Sequence, residues 1–299
     1  MKIRHYKIKK RSVGDLAADI IIYLLIGLIA LTTLLPFLYV IGGSFATDRE
    51  LTEKSFFLIP KVWSLNAYKY AIENGNILNG LKNSILLTIL GTVTSMTLSM
   101  TFAYPLSKSH LRGRNLILNL VIVTMLFSGG MIPTYLVINA YGLYNSWWAL
   151  ILIGAVSPTN MIIIKNFFSQ LPADLEEAAL IDGCSEIGIF ARIVLPLSKP
   201  VIASISLFYG VGYWNDYFNA MIYLQDSKKY TVQIILRNLI VLSGKISEAA
   251  MDYYDMNGAP PDKAVKMAAT VIATVPILCV YPFVQKYFTK GVMMGAVKG

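Results

Sequence analysis

The sequence predicts an all-α, polytopic membrane protein with six transmembrane helices. Of 299 residues, 56% are apolar and only 14% are charged, with a mean hydropathy of +0.58. The apolar residues gather in runs of about 20, the length that crosses a hydrocarbon core. With most of the chain spent on spans, little remains for a separate soluble core, which argues against a soluble enzyme.

Each span follows in order. Lys2, Arg4, Lys7, Lys9, Lys10 and Arg11 precede an apolar run over 19–42. This start resembles a signal peptide, and Ser44-Phe45-Ala46 offers a cleavage site. The run exceeds the roughly 7–15 residues of a signal core, however, so an uncleaved first span is predicted. The second span, 81–106, carries Gly91, Ser95, Ser99 and Ala103 at four-residue spacing. Such a small-residue face suits close helix approach in lipid. A basic turn, Lys108 to Arg114, leads to the third span, 116–139. Within it Phe127-Ser128-Gly129-Gly130-Met131-Ile132-Pro133 loosens the helix, either as a kink against a neighbour or as freed backbone lining a watery path. The fourth span, 147–168, starts on Trp147-Trp148 as an interfacial belt. The fifth, 200–224, holds Tyr213-Trp214-Asn215-Asp216, whose Asp216 is the one acidic residue well inside an apolar run. Asp216 either ends and caps the helix or, with Trp214 and Asn215, orients the hydroxyls of a ligand or forms an outer gate. Residues 232–242 are apolar but interrupted by Gln233, Arg237 and Asn238. A central arginine costs about 2.5–3.5 kcal/mol on insertion, so a surface-lying or protein-packed helix is predicted there. The sixth span is 264–283.

The formal net charge is +9, and its location sets the topology. With both termini on one side, that side holds 15 of the 26 basic residues. The opposite side's 11 are nearly matched by nine acidic residues in its two long connections. Three basic residues mark the turn at 108–114 and none marks 140–146. The positive-inside rule then puts both termini and the loop 169–198 in the cytoplasm. Anionic lipid explains the charge, and no nucleic-acid partner is implied. The expected organisation is a cytoplasmic basic segment 1–18, a six-span domain 19–290 with a long extracytoplasmic loop 225–263, and a cytoplasmic tail 291–299. Cys184 and Cys279 lie far apart, and His5 and His110 sit in short basic segments. Neither a disulfide, a metal site nor a catalytic cluster is predicted.

The loop 169–198 reads as two short helices. Pro172 suits a first turn, and Asp174, Glu176 and Glu177 suit a positive helix end. Gly183 supplies a stop, Ser185 a cap for a second helix through Arg192, and Pro196 its end. Leu175, Ala178 and Ala179 share one face of the first helix; Ile187, Phe190 and Ile193 or Val194 share one of the second. Such a loop either packs on its own bundle or plugs a partner's groove.

The spacing Glu177-Ala178-Ala179, three residues, Gly183, nine residues, Ile193-x-Leu195-Pro196 resembles the EAA loop of ABC importer permeases. The FSGGMIPTYL and WNDYF segments and the terminal GVMMGAVKG are similar to carbohydrate-uptake importers of the maltose type, closest to the complex-oligosaccharide permease subfamily. The resemblance implies an ABC type I importer permease fold with a five-helix inverted-repeat core, in the bacterial cytoplasmic membrane. It also implies a second, different permease subunit, a cytoplasmic ABC ATPase dimer, an extracytoplasmic solute-binding protein and a sugar or oligosaccharide substrate. By the motif, Glu177, Ala178, Ala179, Asp182, Gly183, Ile193, Leu195 and Pro196 would couple to the ATPase. Phe127, Gly129, Gly130, Tyr213, Trp214, Asn215 and Asp216 are the candidates for a substrate pathway or gate. The chain has no GxxxxGK[ST], so ATP and Mg are expected on the ATPase partner and no cofactor on this chain. The rival from another class is a secondary transporter driven by an ion gradient, with Asp216 as its intramembrane carboxylate.

Overall fold

The structure, a computed structural model, describes residues 13–73, 76–242 and 262–296. The basic segment 1–12, the turn at 257–261 and the last three residues of the tail lie outside them. Among the described residues every regular element is helical, as predicted. The described residues form two compact units, one from residues 13–70 and 262–271, the other from residues 71–73, 76–242 and 272–296.

In the first unit, α1 (Val13–Ser44) contains the first span, and Asp19–Ser44 is long and apolar enough to cross a bilayer. Its leucines and isoleucines are exposed on every side, the expected surface of a helix in lipid. The last turn is held by close backbone approach. A Cβ at Gly42 would stand 2.3 Å from the Leu58 carbonyl oxygen, and one at Gly43 2.2 Å from Met267 Sδ. The polar connection then folds around α2 (Asp48–Glu53) and α3 (Asn66–Glu73). Phe45 packs on Trp63 and Tyr68, with ring centroids 5.3 and 4.9 Å away, and Ser44 Oγ lies 2.7 Å from Tyr68 Oη.

Glu50 fixes this connection. Its carboxylate accepts the Lys61 backbone N–H at 3.0 and 2.9 Å and the Lys54 ammonium at 2.6 Å. The Lys54 hydrogen bond, then the Lys61 amide, hold its pKa below the ordinary 4.5 against the opposing effect of burial. A depressed carboxyl stabilises fully above its unfolded pKa and loses that contribution as pH falls through the folded one. The Lys61 amide should therefore lose hydrogen-exchange protection on acidification below 4.5, and Glu50→Gln should lack this step. Equal protection of the Lys61 amide in the wild type and Glu50→Gln at neutral pH would contradict the assignment.

The second unit is built on α4 (Ile77–Ser107), the second span. Its small-residue face is a packing face, as predicted. A Cβ at Gly91 would meet the Tyr213 ring at 2.7 Å, Ser95 and Ser99 bond tyrosine hydroxyls at 2.7 Å, and Ala103 is fully buried. The interrupted apolar segment forms α13 (Val232–Leu242) and packs on the start of α4. There Asn83 Nδ2 donates to the Lys228 and Tyr230 carbonyls at 2.8 and 2.9 Å, and Ser84 Oγ accepts the Val232 N–H at 2.9 Å.

Three of the remaining spans are broken: the third at the predicted Phe127–Pro133 loosening, the fifth at Asp216, and the fourth where a continuous helix is predicted. The third consists of α5 (Arg114–Leu126) and α6 (Met131–Ala140), bent by 115°, with Gly130 at φ +87° in the break. The fourth consists of α7 (Trp147–Ile153) and α8 (Pro158–Phe168), bent by 55°. Ser157 caps α8 by accepting the Asn160 N–H, and Pro158 opens its first turn. The fifth is entered through an 82° bend between α10 (Glu186–Leu197) and α11 (Lys199–Asn215). It breaks again at Asp216 before α12 (Phe218–Tyr223). The last helix, α14 (Asp262–Ala296), runs past the predicted sixth span and contributes to both units. Among the described residues, three helices can cross a membrane singly, and up to six spans result if each bent pair counts as one.

Candidate functional site

Two places concentrate polar chemistry: the loop between α8 and α11, and a cleft where two helix breaks meet.

The loop's first helix, α9 (Ala173–Ile181), carries Asp174 and Glu176 in its first turn, against the positive end of the helix. It ends in a Schellman turn. Cys184 N–H donates to the Ala179 carbonyl at 2.9 Å and Gly183 N–H to that of Leu180 at 3.0 Å, with Gly183 left-handed at φ +79°. Ser185 Oγ then accepts the Gly188 N–H at 3.2 Å and starts α10. Pro196 does not end this helix, contrary to expectation. A π turn over Phe190–Val194, in which Leu195 N–H reaches the Phe190 carbonyl, precedes it. That wider turn accommodates a residue with no N–H to donate.

The predicted faces divide. Ala179, Ile189 and Val194 are buried against the bundle, whereas Leu175, Glu177, Ala178, Asp182, Gly183 and Pro196 are exposed, and Ile193 and Leu195 are half-buried. The most exposed large apolar side chains of the loop are Ile181 at 87% and Ile187 at 80%. Sequence periodicity placed Ile187 on the apolar face of the second helix but did not single out Ile181. Large aliphatic side chains so exposed on rigid, capped helices form a surface suited to a protein partner. Beneath the loop, Lys108 pairs with Glu176. Burial lowers the Lys108 pKa, and the nearby Glu186 carboxylate opposes that shift.

The cleft, of about 280 Å³, lies where the α7–α8 break faces the end of α11. Its polar lining is Ser157, Asn160, Tyr209, Tyr213, Asp216 and Asn219. Irregular backbone at span depth needs partners from the protein or from a watery cavity, and here α11 and α4 supply them. Tyr213 Oη donates to the Ile151 carbonyl at 3.0 Å, and Ser95 Oγ lies 3.5 Å from that of Gly154. Tyr209 Oη accepts the Ser157 N–H at 2.9 Å. Asp216 accepts from Asn219 N and Nδ2 at 3.1 and 3.0 Å. It therefore both caps the break and borders the cleft.

Of the predicted pathway residues, Tyr213 and Asp216 line this cleft. Trp214 instead borders an apolar groove with Ile85 and Ile277. Asn215 closes α11. Phe127, Gly129 and Gly130 sit at the exposed α5–α6 corner, and none of them lines the cleft. Ser157 and Asn160 were missed, although Ser157-Pro158 inside an apolar run is a helix-start signal.

The family model described as "Binding-protein-dependent transport system inner membrane component" matches residues 8–294. The chain is similar to Protein LplC of Bacillus subtilis, 53% identical over 281 residues, covering 94% of this chain and 95% of that protein. It is also similar to the polygalacturonan/rhamnogalacturonan transport system permease protein YtcP of Bacillus subtilis, 49% identical over 281 residues, covering 94% and 98%. Among solved structures, a chain of a bacterial ABC transporter involved in the import of the acidic polysaccharide alginate superposes with a TM-score of 0.88 at 31% identity, covering 94% of this chain and 99% of that one. The broken-span bundle is thus the type I importer permease fold, and this chain belongs to the family of binding-protein-dependent transport system inner membrane components.

Proposed function

We propose that this chain is one of two different permease subunits of an ATP-driven importer for a saccharide delivered by an extracytoplasmic binding protein. The observation that carries the reading is the coexistence, on one helix, of the loop's anchor and the cleft's wall. α4 contributes Ser95 behind the cleft tyrosines and ends directly at Lys108 under the loop, the two residues roughly 20 Å apart at about 1.5 Å per residue. In this reading Glu177 to Pro196 docks, through the exposed Ile181 and Ile187, in a groove of a cytoplasmic ATPase dimer that holds ATP and Mg. The termini lie on the same cytoplasmic side, with residues 225–263 opposite. Amides, hydroxyls and a carboxylate beside Tyr213 suit the hydroxyl-rich face of a sugar ring. The names of the relatives, a polygalacturonan/rhamnogalacturonan permease and a chain of an alginate importer, support the saccharide class.

The test is uptake into proteoliposomes carrying the whole complex. Uptake should require ATP and resist ionophores; the reverse pattern would favour a secondary transporter. Asn160→Leu should raise the apparent KM for saccharide about fivefold, the effect of one hydrogen bond worth about 1 kcal/mol, without loss of the ATPase subunit. An unchanged KM would remove the cleft from the pathway.

A further inference from the structure

Each helix of the loop is tied by a carboxylate to the same turn of α4. Lys108, the residue after α4, donates to Glu176 Oε2 in α9. Tyr104 Oη, one turn earlier, donates to Glu186 Oε2, at the start of α10, at 3.1 Å. The two ties touch each other, because Lys108 Nζ lies 4.4 Å from the Tyr104 ring centroid. Phe190 of α10 and Phe168 of α8 pack on the same ring at 4.8 and 6.3 Å. The Lys108 and Glu176 side chains are only 17% and 22% exposed, so solvent screens this pair less than a fully exposed one.

The consequence concerns which helices follow the loop. By chain continuity α10 pulls on α11 alone. The cleft, however, has α11 on one side and, behind its tyrosines, α4, joined through Ser95–Tyr213 and Ser99–Tyr209. Displacement of the loop engages α4 directly only through side-chain links, and Lys108 and Tyr104 provide two of them. We infer that Lys108 and Tyr104 are positioning residues of the transport cycle, passing movement of the docking loop, through Glu176 and Glu186, to α4 and so to the cleft. This rests on the coupling role proposed above.

The experiment measures saccharide delivered per ATP hydrolysed by the complete complex in proteoliposomes. Lys108→Gln and Glu176→Gln should each lower the ratio at least about fivefold, the low end of typical coupling between sites. The double variant should be no worse than either single, because the two groups act as one unit. Lys108→Arg should keep the ratio, and the reversed pair Lys108→Glu with Glu176→Lys should restore most of it. Co-purification of the ATPase subunit reports assembly. Should Lys108→Gln fail to assemble, Tyr104→Phe, which removes only one hydroxyl, should lower the ratio on its own. A wild-type ratio in either Lys108→Gln or Tyr104→Phe would overturn the inference, as would losses in the charge pair that simply multiply. If wild-type uptake proves independent of ATP, the coupling reading itself falls and takes the inference with it.

Discussion

Ile181→Asp combined with Ile187→Asp is expected to strip the ATPase subunit from the complex while leaving the permease folded in the membrane. Both side chains are more exposed than any other large apolar side chain of the loop, at 87% and 80%. Neither supports the bundle, whose contacts come from Ala179, Ile189 and Val194. Burying an isoleucine in a partner's groove is worth about 1.5–3 kcal/mol, and truncated anchors at interface centres typically lose at least about 2 kcal/mol each. One substitution should weaken association about 30-fold on that scale, and two should abolish co-purification from detergent. The permease's own thermal unfolding should barely change, since no buried contact is lost. Undiminished co-purification of the double variant would show that the loop docks elsewhere or not at all.

Gly91→Leu should damage the permease itself. Even the first atom of the new side chain would stand 2.7–2.8 Å from three atoms of the Tyr213 ring, which cannot retreat. Its hydroxyl is held by Ser95 at 2.7 Å and by the Ile151 carbonyl at 3.0 Å. Overpacking a tight site costs about 1–3 kcal/mol, occasionally more, and here it would also free a carbonyl at a helix break in the membrane. Thermal unfolding in detergent should move to clearly lower temperature, and uptake should fall in parallel. Gly91→Ala carries only the clashing Cβ and should show a smaller shift of the same sign. If Gly91→Leu melted like the wild type, the α4–α11 contact would not be a principal support of the fold.

Hydropathy made spans one, two and six legible because each is an unbroken apolar helix, and four-residue spacing exposed the packing face of α4. It concealed the break in the fourth span, whereas Gly129-Gly130 with Pro133 marked the one in the third and Asp216 the one in the fifth. Gly154-Ala155-Val156 is apolar enough to read as continuous helix, and the apolar run continues past Ser157-Pro158 to Phe168. Asp216 was legible as both a cap and a border of a polar site, and its two hydrogen bonds with Asn219 allow both. In the loop, Gly183 as a stop and Ser185 as a cap were readable because both act locally. Which of Ala178 and Ala179 faces inward was not, because adjacent positions on a helix are separated only by what packs on them.

The π turn in α10 has a further effect, on rotational phase. Ile187 and Val194 are one heptad apart, and on an uninterrupted α-helix they would point within about 20° of each other. Yet Ile187 is 80% exposed and Val194 only 1%. The turn over Phe190–Val194 absorbs one extra residue, which rotates everything after it by about 100°, one step of an α-helix. One continuous helix thereby turns Ile187 outward while setting Ile189 and Val194 against the same bundle.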